Sequence, residues 1–310
     1  MEHVTTMKKF IITIDTEGDN LWNWSEGEEI TTKNVYFLQR FQDLCDQYNF
    51  KPVWLSNWEM IQNADYVKFI DKGLERGVCE LGMHLHAWNT PPITPLYGNK
   101  NSGLPYLIEY PVEMMEEKIG SITDLIHRKF GLMPISHRVG RWAMNDDYFQ
   151  LLHKYGYKVD CSYTPGINWR KSNGRTSGIG GSDYSKVCSS PQIIHGICEV
   201  PVTTKKTRRI FVRGGGRTIW YMLKGQTLWL RPNGHNLKEM CWLVKECSKS
   251  EEGYLMFMLH SSELMPGGSP TFRDEGSIEI LYQHLNIIFH QISKDYEGCT
   301  LEEYHRCFIK

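Results

Sequence analysis

The chain has 310 residues, a formal net charge of −1 at pH 7 and 41% hydrophobic residues. This charge balance gives no global attraction to nucleic acid or to anionic membranes, and the apolar content is that of a folded chain. Residues 1–9 lack an apolar signal core, and no later stretch approaches the roughly 18 apolar residues that a membrane span needs. We therefore expect a cytoplasmic protein with no membrane span and no nucleic-acid partner.

Short apolar runs alternate with helical patterns along much of the chain. Residues 10–14 and 53–55 predict strands, and apolar residues at helical spacing predict a helix over 34–48 between them. The later elements follow from the same patterns: a helix over 112–130 stopped by Gly131, a helix from the N-cap Asn145 to Gly156, a strand over 254–259 and a helix over 278–292. This alternation predicts a parallel sheet with helices outside it, as an open sheet or a barrel, in one domain over 1–310.

The region 166–236 departs from this pattern and is predicted to be an elaboration of the main domain. Residues 166–192 are rich in Ser and Gly and look like a long loop, whereas 203–236 contains eight Lys and Arg residues and no acid. This basic stretch could bind the phosphate groups of a ligand. The plainer interpretation is a solvated basic face.

Carboxylates and imidazoles stand at the ends of two predicted strands. Asp15 and Glu17 directly follow the first strand and can share one side, where they repel each other unless a cation or proton lies between them. His84 and His86 form an H-x-H pair that directs two imidazoles to one face, a common arrangement for a divalent metal. One carboxylate plus two imidazoles leaves coordination positions open for water and substrate. Solvated acids and structural histidines are the alternative.

Two further strand ends carry residues suited to proton transfer and charge pairing. Arg138 could hold Asp15 ionised through bidentate contacts, although an ordinary surface arginine is the alternative. His260 follows the late strand and could move a proton near neutral pH, or serve a structural role. Trp88 and Trp142 could form apolar walls for a bound ligand, or belong to the core.

The order of these motifs resembles the polysaccharide deacetylase (NodB-like) family of carbohydrate esterases. That family has an Asp-rich first motif, a two-His second motif, an Arg-containing third motif and a late Leu-x-His motif. The segments Asp-Thr-Glu-Gly-Asp, His-Leu-His-Ala-Trp and His-Ser-Ser-Glu-Leu most resemble the WbmS-like branch found in O-antigen gene clusters. The resemblance implies an α/β fold, a distorted and incomplete (β/α) TIM-like barrel, here with an inserted loop and basic segment.

The resemblance also implies site residues in three groups. The proton-transfer group comprises a general base, its arginine partner, a general acid and a supporting carboxylate: Asp15, Arg138, His260 and Asp160. The metal group comprises one carboxylate, two imidazoles and a competing acid: Glu17, His84, His86 and Asp19. The expected substrate contacts are Trp88, Trp142 and Glu263. Two departures bear on the coordination geometry, since the family has adjacent aspartates in the first motif and H-x-x-x-H in the second.

The implied function is metal-dependent removal of an N-acyl group, in particular N-acetyl, from a sugar in surface-polysaccharide biosynthesis. Zinc is the expected divalent metal, with cobalt or nickel as alternatives, and the sugar could be nucleotide- or lipid-linked. One rival hypothesis keeps the site but changes the substrate to a non-sugar amide, as in a deformylase or another amidohydrolase. The other rival is a catalytically inactive carbohydrate-binding homologue.

Overall fold

The structure, a computed structural model, describes residues 7–93, 97–98, 102–172, 181–211, 223–250 and 253–309. Its strands are β1 (Lys8–Thr16), β2 (Pro52–Ser56), β3 (Glu80–Leu85), β4 (Tyr97–Gly98), β5 (Ser102–Gly103), β6 (Ser136–Val139), β7 (Val159–Asp160), β8 (Gln192–Ile194), β9 (Ile197–Glu199), β10 (Thr204–Thr207), β11 (Gln226–Trp229), β12 (Tyr254–His260) and β13 (Tyr296–Gly298). Its α-helices with described bounds are α1 (Leu38–Gln47), α2 (Trp58–Gln62), α3 (Ala64–Glu75), α4 (Val112–Phe130), α5 (Asp146–Lys154), α6 (Leu237–Ser248), α7 (Glu275–Ile292) and α8 (Leu301–Phe308).

One curled sheet organises the molecule as an incomplete barrel. Its strand order is β12-β1-β2-β3-β6-β7-β9-β8, and β13 pairs with the first residues of β1. All neighbours run parallel except β8 and β9, which form an antiparallel hairpin. The expected α/β fold of the distorted-barrel type is confirmed. Because the parallel strands share one direction, their carboxyl ends meet at one edge of the sheet.

Alternation along β1 separates the two faces of this sheet. Phe10, Ile12 and Ile14 belong to the large apolar cluster that contains residues of α1, α4 and α7, whereas Ile11 belongs to the smaller cluster. Side chains two residues apart on a strand point to the same face. Asp15 therefore lies on the face of Ile11, the inner face of the curled sheet.

The helix predictions hold, with one difference at a boundary. Gly131 ends α4 in the left-handed conformation with φ of 68°, and the side chain of Asn145 caps α5 by accepting a hydrogen bond from the Tyr148 N–H. The helix predicted over 34–48 is instead a 3₁₀ turn (Lys33–Phe37) followed by α1. Apolar spacing cannot separate these two helix types over a single turn.

The region 166–236 is more closely joined to the sheet than its composition indicates. Strands β8 and β9 lie inside it and extend the main sheet beyond β7. The hairpin of β10 and β11 then returns to the opposite edge, because Met258 N–H donates to Leu230 O at 3.3 Å and Thr203 N–H donates to Met256 O at 3.4 Å. The chain around this hairpin therefore spans the gap between the two edges of the curl.

Two sequence expectations concern residues that the structure describes only in part. Arg213 and Arg217 of the basic stretch lie outside the described residues. Within the described part of the chain, no helix is long and apolar enough to cross a membrane.

Candidate active site

A carboxylate and two imidazoles converge at the carboxyl edge of the sheet. Glu17, His84 and His86 are buried, and one ligand atom from each lies within 4.8 Å of the others. Glu17 Oε2 is 3.6 Å from His84 Nε2 and 3.2 Å from His86 Nε2. Three donors of these types leave positions open for water and substrate, as in catalytic zinc sites. The residues present therefore fit a divalent metal, and they are the three expected from the sequence.

Hydrogen bonds from two 3₁₀ turns and from β6 hold two of these residues in place. The Ser261 hydroxyl accepts from the Glu17 N–H at 3.1 Å, and the Asn34 amide donates to Glu17 O at 2.7 Å. His84 Nδ1 lies 2.9 Å from Arg138 O, so Nδ1–H donates to that carbonyl and Nε2 faces Glu17. The backbone of β6 thereby selects the tautomer of His84.

The two imidazoles differ in their electrostatic surroundings. Burial, together with the positive charges of His84, Arg141 and His260, lowers the pKa of His86 well below its ordinary value. Burial also disfavours the charged form of His84, but the charges of Asp15 and Glu17 outweigh it and raise its pKa. His86 is therefore held as the neutral imidazole, which is the form that can coordinate a metal.

Asp15 is paired with a fully buried arginine, as the sequence predicts. Arg138 Nη1 donates to Asp15 Oδ1 at 2.6 Å, and its other donors bond Cys161 O and the Thr13 hydroxyl. Burial alone would raise the pKa of Asp15, but Arg138 and the nearby imidazoles of His84 and His260 lower it. Asp15 is therefore held as a carboxylate whose Oδ2 remains available.

His260 lies next to the carboxylates of Asp15 and Glu17, and Glu263 orients its ring from the side away from the cavity. Its Nε2 is 3.8 Å from Asp15 Oδ2 and 4.0 Å from Glu17 Oε1. Its Nδ1 is 3.0 Å from Glu263 Oε2, and Glu263 also accepts from the His260 N–H at 2.9 Å. Arg231 contacts the same carboxylate at 3.3 Å. Nδ1 thus lies next to both Glu263 and Arg231, whose Nη2 is 3.0 Å away, and Nε2 is the atom that faces the pocket.

Glu263 differs from its expected role as a substrate contact. It is 2% exposed, lies behind His260, and is not among the residues that line the pocket. The reason is local, because the 3₁₀ turn Ser261–Leu264 brings the third residue after His260 back onto it. Although burial by itself raises the pKa of Glu263, Arg231 and the hydrogen bonds from His260 lower it to about 2.

Two other acids lie apart from the convergent group. Asp19 accepts hydrogen bonds from the Thr31 hydroxyl and from the Asn34 N–H, the latter at 3.2 Å. Among the described residues, it is not part of the group that could hold a metal ion. Asp160 is buried behind β6 and bonds His137 Nδ1 at 2.6 Å and the Ser162 hydroxyl at 2.8 Å. Glu17 is thus the carboxylate that lies with the two imidazoles. Asp160 bonds to β6 through His137 and does not line the cavity.

A cavity of about 340 Å³ opens over the convergent residues. Its aromatic walls are Trp22, Trp88, Tyr106, Trp142 and Trp169. Trp88 packs on His86 with ring centroids 4.3 Å apart, and Trp142 lies parallel to Trp169 at 6.5 Å. The two expected tryptophans therefore both line the cavity.

Sequence reasoning missed several residues of this cavity. Arg231 was expected only as part of a basic stretch, but it reaches the cavity beside His260. Trp22 donates its indole N–H to the Ser262 hydroxyl and packs edge-on against His260. Trp169 comes from the long loop. No local motif marks these three residues, because the fold of distant segments brings them to the site.

Comparison with known proteins shows the fold. No protein-family model matches the chain, and no curated protein matches it. Among solved structures, a candidate glycoside hydrolase/deacetylase from Parabacteroides distasonis has a TM-score of 0.62 and 10% identity, over 97% of this chain and 71% of that one. A candidate polysaccharide deacetylase from Mycobacterium smegmatis has a TM-score of 0.55 and 11% identity, over 98% and 91%. The chain has the distorted barrel of the deacetylase type.

The same fold also occurs in a protein described by a different activity. A 4-alpha-glucanotransferase from Thermococcus litoralis has a TM-score of 0.55 and 14% identity, over 96% of this chain and 40% of that one. Fold likeness at these identities does not select a reaction. The function must be argued from the site.

Proposed function

We propose that this protein is a metal-dependent hydrolase that removes the N-acetyl group from a sugar. The observation that carries the proposal is the convergence of Glu17, His84 and His86 with the pair Asp15–Arg138 and with His260 at one cavity. A divalent metal held by the first three residues would polarise the amide carbonyl and activate a water molecule. Zinc suits this donor set, with cobalt or nickel as alternatives.

The remaining residues would carry the proton transfers. Asp15, kept ionised by Arg138, accepts the proton of the attacking water through Oδ2. His260 presents Nε2 on the same side of the cavity and donates a proton to the departing amine. Glu263 holds the His260 ring through Nδ1, so the proton-carrying atom is fixed in direction. The aromatic walls suit the apolar faces of a sugar ring and the methyl of an acetyl group.

The site favours amide hydrolysis over transfer of a glycosyl group. Glycosidic chemistry needs a pair of carboxyl groups, one of which is protonated and donates to the leaving oxygen. The pKa of Asp15 is lowered, so it is a poor proton donor, and Glu17 faces two imidazoles. A hydrolase that uses a metal and a histidine acid accounts for both carboxylates.

The biological role that we propose is inferred from the sequence motifs. Their resemblance to the WbmS-like branch supports a role in surface-polysaccharide biosynthesis, with a nucleotide- or lipid-linked sugar as substrate. A cytoplasmic location would suit such a precursor better than a finished polymer.

Elemental analysis of the tag-free protein tests the metal group first. We expect near-stoichiometric divalent metal in the wild type and little in His86→Ala or His84→Ala, while His290→Ala, on the exposed side of α7, retains it. Asp15→Asn should retain metal and lose acetate release from N-acetylated sugars. Unchanged metal content in both ligand variants would refute the assignment. Formate release from N-formyl compounds without acetate release would favour the deformylase alternative.

A further inference from the structure

Three of the arginines that the structure describes lie at or near the cavity, and they differ in whether an acid compensates their charge. Arg138 is neutralised by Asp15, and Arg231 by Glu263. Arg141 lines the same cavity, yet among the acidic residues that the structure describes none forms a salt bridge with it. Its guanidinium instead lies 5.1 Å from the ring centre of Trp88.

The backbone directs Arg141 into the cavity at a conformational cost. Arg141 and Trp142 have φ of 57° and 62°, in the left-handed region that residues with a Cβ seldom adopt. Such a conformation persists where surrounding structure enforces it, often at ligand-binding positions. The Arg141 side chain is exposed to solvent and lines the cavity, so this placement leaves it accessible to a ligand.

The ring contacts also prepare the guanidinium for binding. Arg141 packs against Trp88 and lies 6.0 Å from the ring centre of Tyr106. Stacking occupies the face of the guanidinium, and one of its N–H groups bonds the Tyr106 hydroxyl, so the remaining N–H groups can form hydrogen bonds with a carboxylate or a phosphate. The charge also lies close enough to the metal group to act on His86. An anion held there would stand beside the reacting amide.

We propose that Arg141 binds an anionic group, a carboxylate or a phosphate, carried by the N-acetylated sugar itself. The proposal rests on the deacetylase function proposed above and narrows its substrate class to acidic or phosphorylated N-acetyl sugars. A cavity of about 340 Å³ lies near the lower end of the roughly 300–1,000 Å³ range of small-molecule sites. That volume fits one sugar residue with its substituent.

The test compares three probes that share one sugar: N-acetylglucosamine, its 1-phosphate, and N-acetylglucosaminuronic acid. Calorimetric binding and acetate release are measured for the metal-loaded wild type, Arg141→Gln and Arg141→Lys. We expect the wild type to bind at least one charged sugar about 10-fold more tightly than the neutral one, the value of one charge-assisted hydrogen bond. Arg141→Gln should reduce this preference to under 2-fold, and Arg141→Lys should retain part of it. The charged sugar that responds identifies the anion.

A matched control separates local binding from general attraction. Lys206→Gln removes one positive charge from β10, outside the cavity, and should leave the preference unchanged. A preference that survives in Arg141→Gln would mean that the metal or another group binds the anion, and would overturn the proposal. Equal loss for neutral and charged sugars would assign Arg141 to the reaction itself and also overturn it, as would failure of all three sugars to bind.

The two proposals can fail separately. Acetate release at equal rates from neutral and charged sugars, with metal present, would refute the anion site and leave the deacetylase. Binding of charged sugars that depends on Arg141, without acetate release from any of them, would refute the deacetylase and leave the anion site.

Discussion

His86 is oriented by packing at the scale of single residues. Its Nδ1 is buried and has no hydrogen-bond partner among the described residues. The ring lies between Trp88, at 4.3 Å between centroids, and Gly140, where an added Cβ would come within 2.2 Å of His86 Cδ2. Only glycine leaves room for the imidazole at this position.

Gly140→Ala should therefore displace His86 and weaken metal binding. We expect at least a 10-fold loss of metal affinity, the lower range for disturbing groups that orient a ligand. Competition with a chromogenic chelator measures this affinity. Gly253→Ala is the matched control, because no atom lies within 4 Å of the added Cβ there. Equal metal affinity in the two variants would contradict the packing argument.

Glu263 acts on His260 in a similar way, through a hydrogen bond. Glu263→Gln replaces the carboxylate beside Nδ1 with a neutral amide, which cannot stabilise the doubly protonated ring that donates a proton from Nε2. It also leaves Arg231 without its carboxylate. We expect kcat to fall about 10–100-fold, as for other outer carboxylates that orient a histidine, with metal content unchanged. A kcat within 2-fold of the wild type would show that His260 needs no such partner.

The positions of the candidate site residues were predictable where a motif places them at the end of a strand or directly after it. Asp15, Glu17, His84 and His86 follow this rule, since alternation along a strand decides their direction. Glu263 did not, because a 3₁₀ turn rather than a strand sets its direction. Arg231 could not be assigned to the cavity at all without knowing where the β10–β11 hairpin docks.

At the scale of secondary-structure elements, strands β7 and β9 place two carboxyl groups side by side. Asp160 and Glu199 are register partners, and both are fully buried. Burial and the charge of Asp160 raise the pKa of Glu199 well above its ordinary value. Burial would also raise the pKa of Asp160, but hydrogen bonds from Glu199, His137 and Ser162 lower it. The pair thus carries one negative charge, on Asp160.

Glu199→Gln should accordingly be tolerated. The amide oxygen can accept from the Tyr163 N–H as Glu199 does at 2.9 Å, and the amide N–H group can donate to Asp160. Because the pKa of Glu199 is raised on folding, its contribution to stability is present below the unfolded pKa and is lost as pH rises. Wild-type stability should therefore fall relative to Glu199→Gln as pH rises above about 4.3, the ordinary pKa of a glutamate, and through the raised pKa of the folded state. Urea unfolding at several pH values measures this difference.

Asp160→Asn provides the contrast on the neighbouring strand. It removes the negative charge to which His137 and the Ser162 hydroxyl bond, and its amide N–H group would face the Ser162 N–H that donates to Oδ2 at 3.1 Å, so the free energy of unfolding should fall by about 1–3 kcal/mol. Equal stability of the two variants across that pH range, or a pH-independent difference between wild type and Glu199→Gln, would contradict the assigned charges.

Elements were predictable in proportion to their length. The strands at 10–14 and 254–259 and the helices α4 and α7 carry enough residues to show a period. Strands β7 and β9 have only two and three residues, too few to show a period of apolar residues. Both lie in the sheet because they pair with each other and with neighbouring strands. Composition thus indicated an elaboration of the domain over 166–236, although β8 and β9 within it extend the main sheet.

At the scale of the whole molecule, the site joins segments that are distant in sequence. The metal group connects the ends of β1 and β3, and the Asp15–Arg138 pair connects β1 to β6. Among the described residues, strand pairing is continuous from β12 to β8, and the segment that contains the β10–β11 hairpin bonds back to β12. We therefore expect a single cooperative unfolding transition over the chain.

Metal removal should shift that single transition. An ion bound only by the folded state stabilises it by about 2.7 kcal/mol when its free concentration is 100 times its Kd, which raises Tm by several degrees for a chain of this size. Calorimetry with and without a chelator should show this shift for the wild type and for Asp15→Asn, which keeps the three ligands. His86→Ala should unfold at one temperature under both conditions. A chelator-sensitive Tm in His86→Ala would place the ion elsewhere, whereas two separated transitions in the wild type would divide the chain into independent domains.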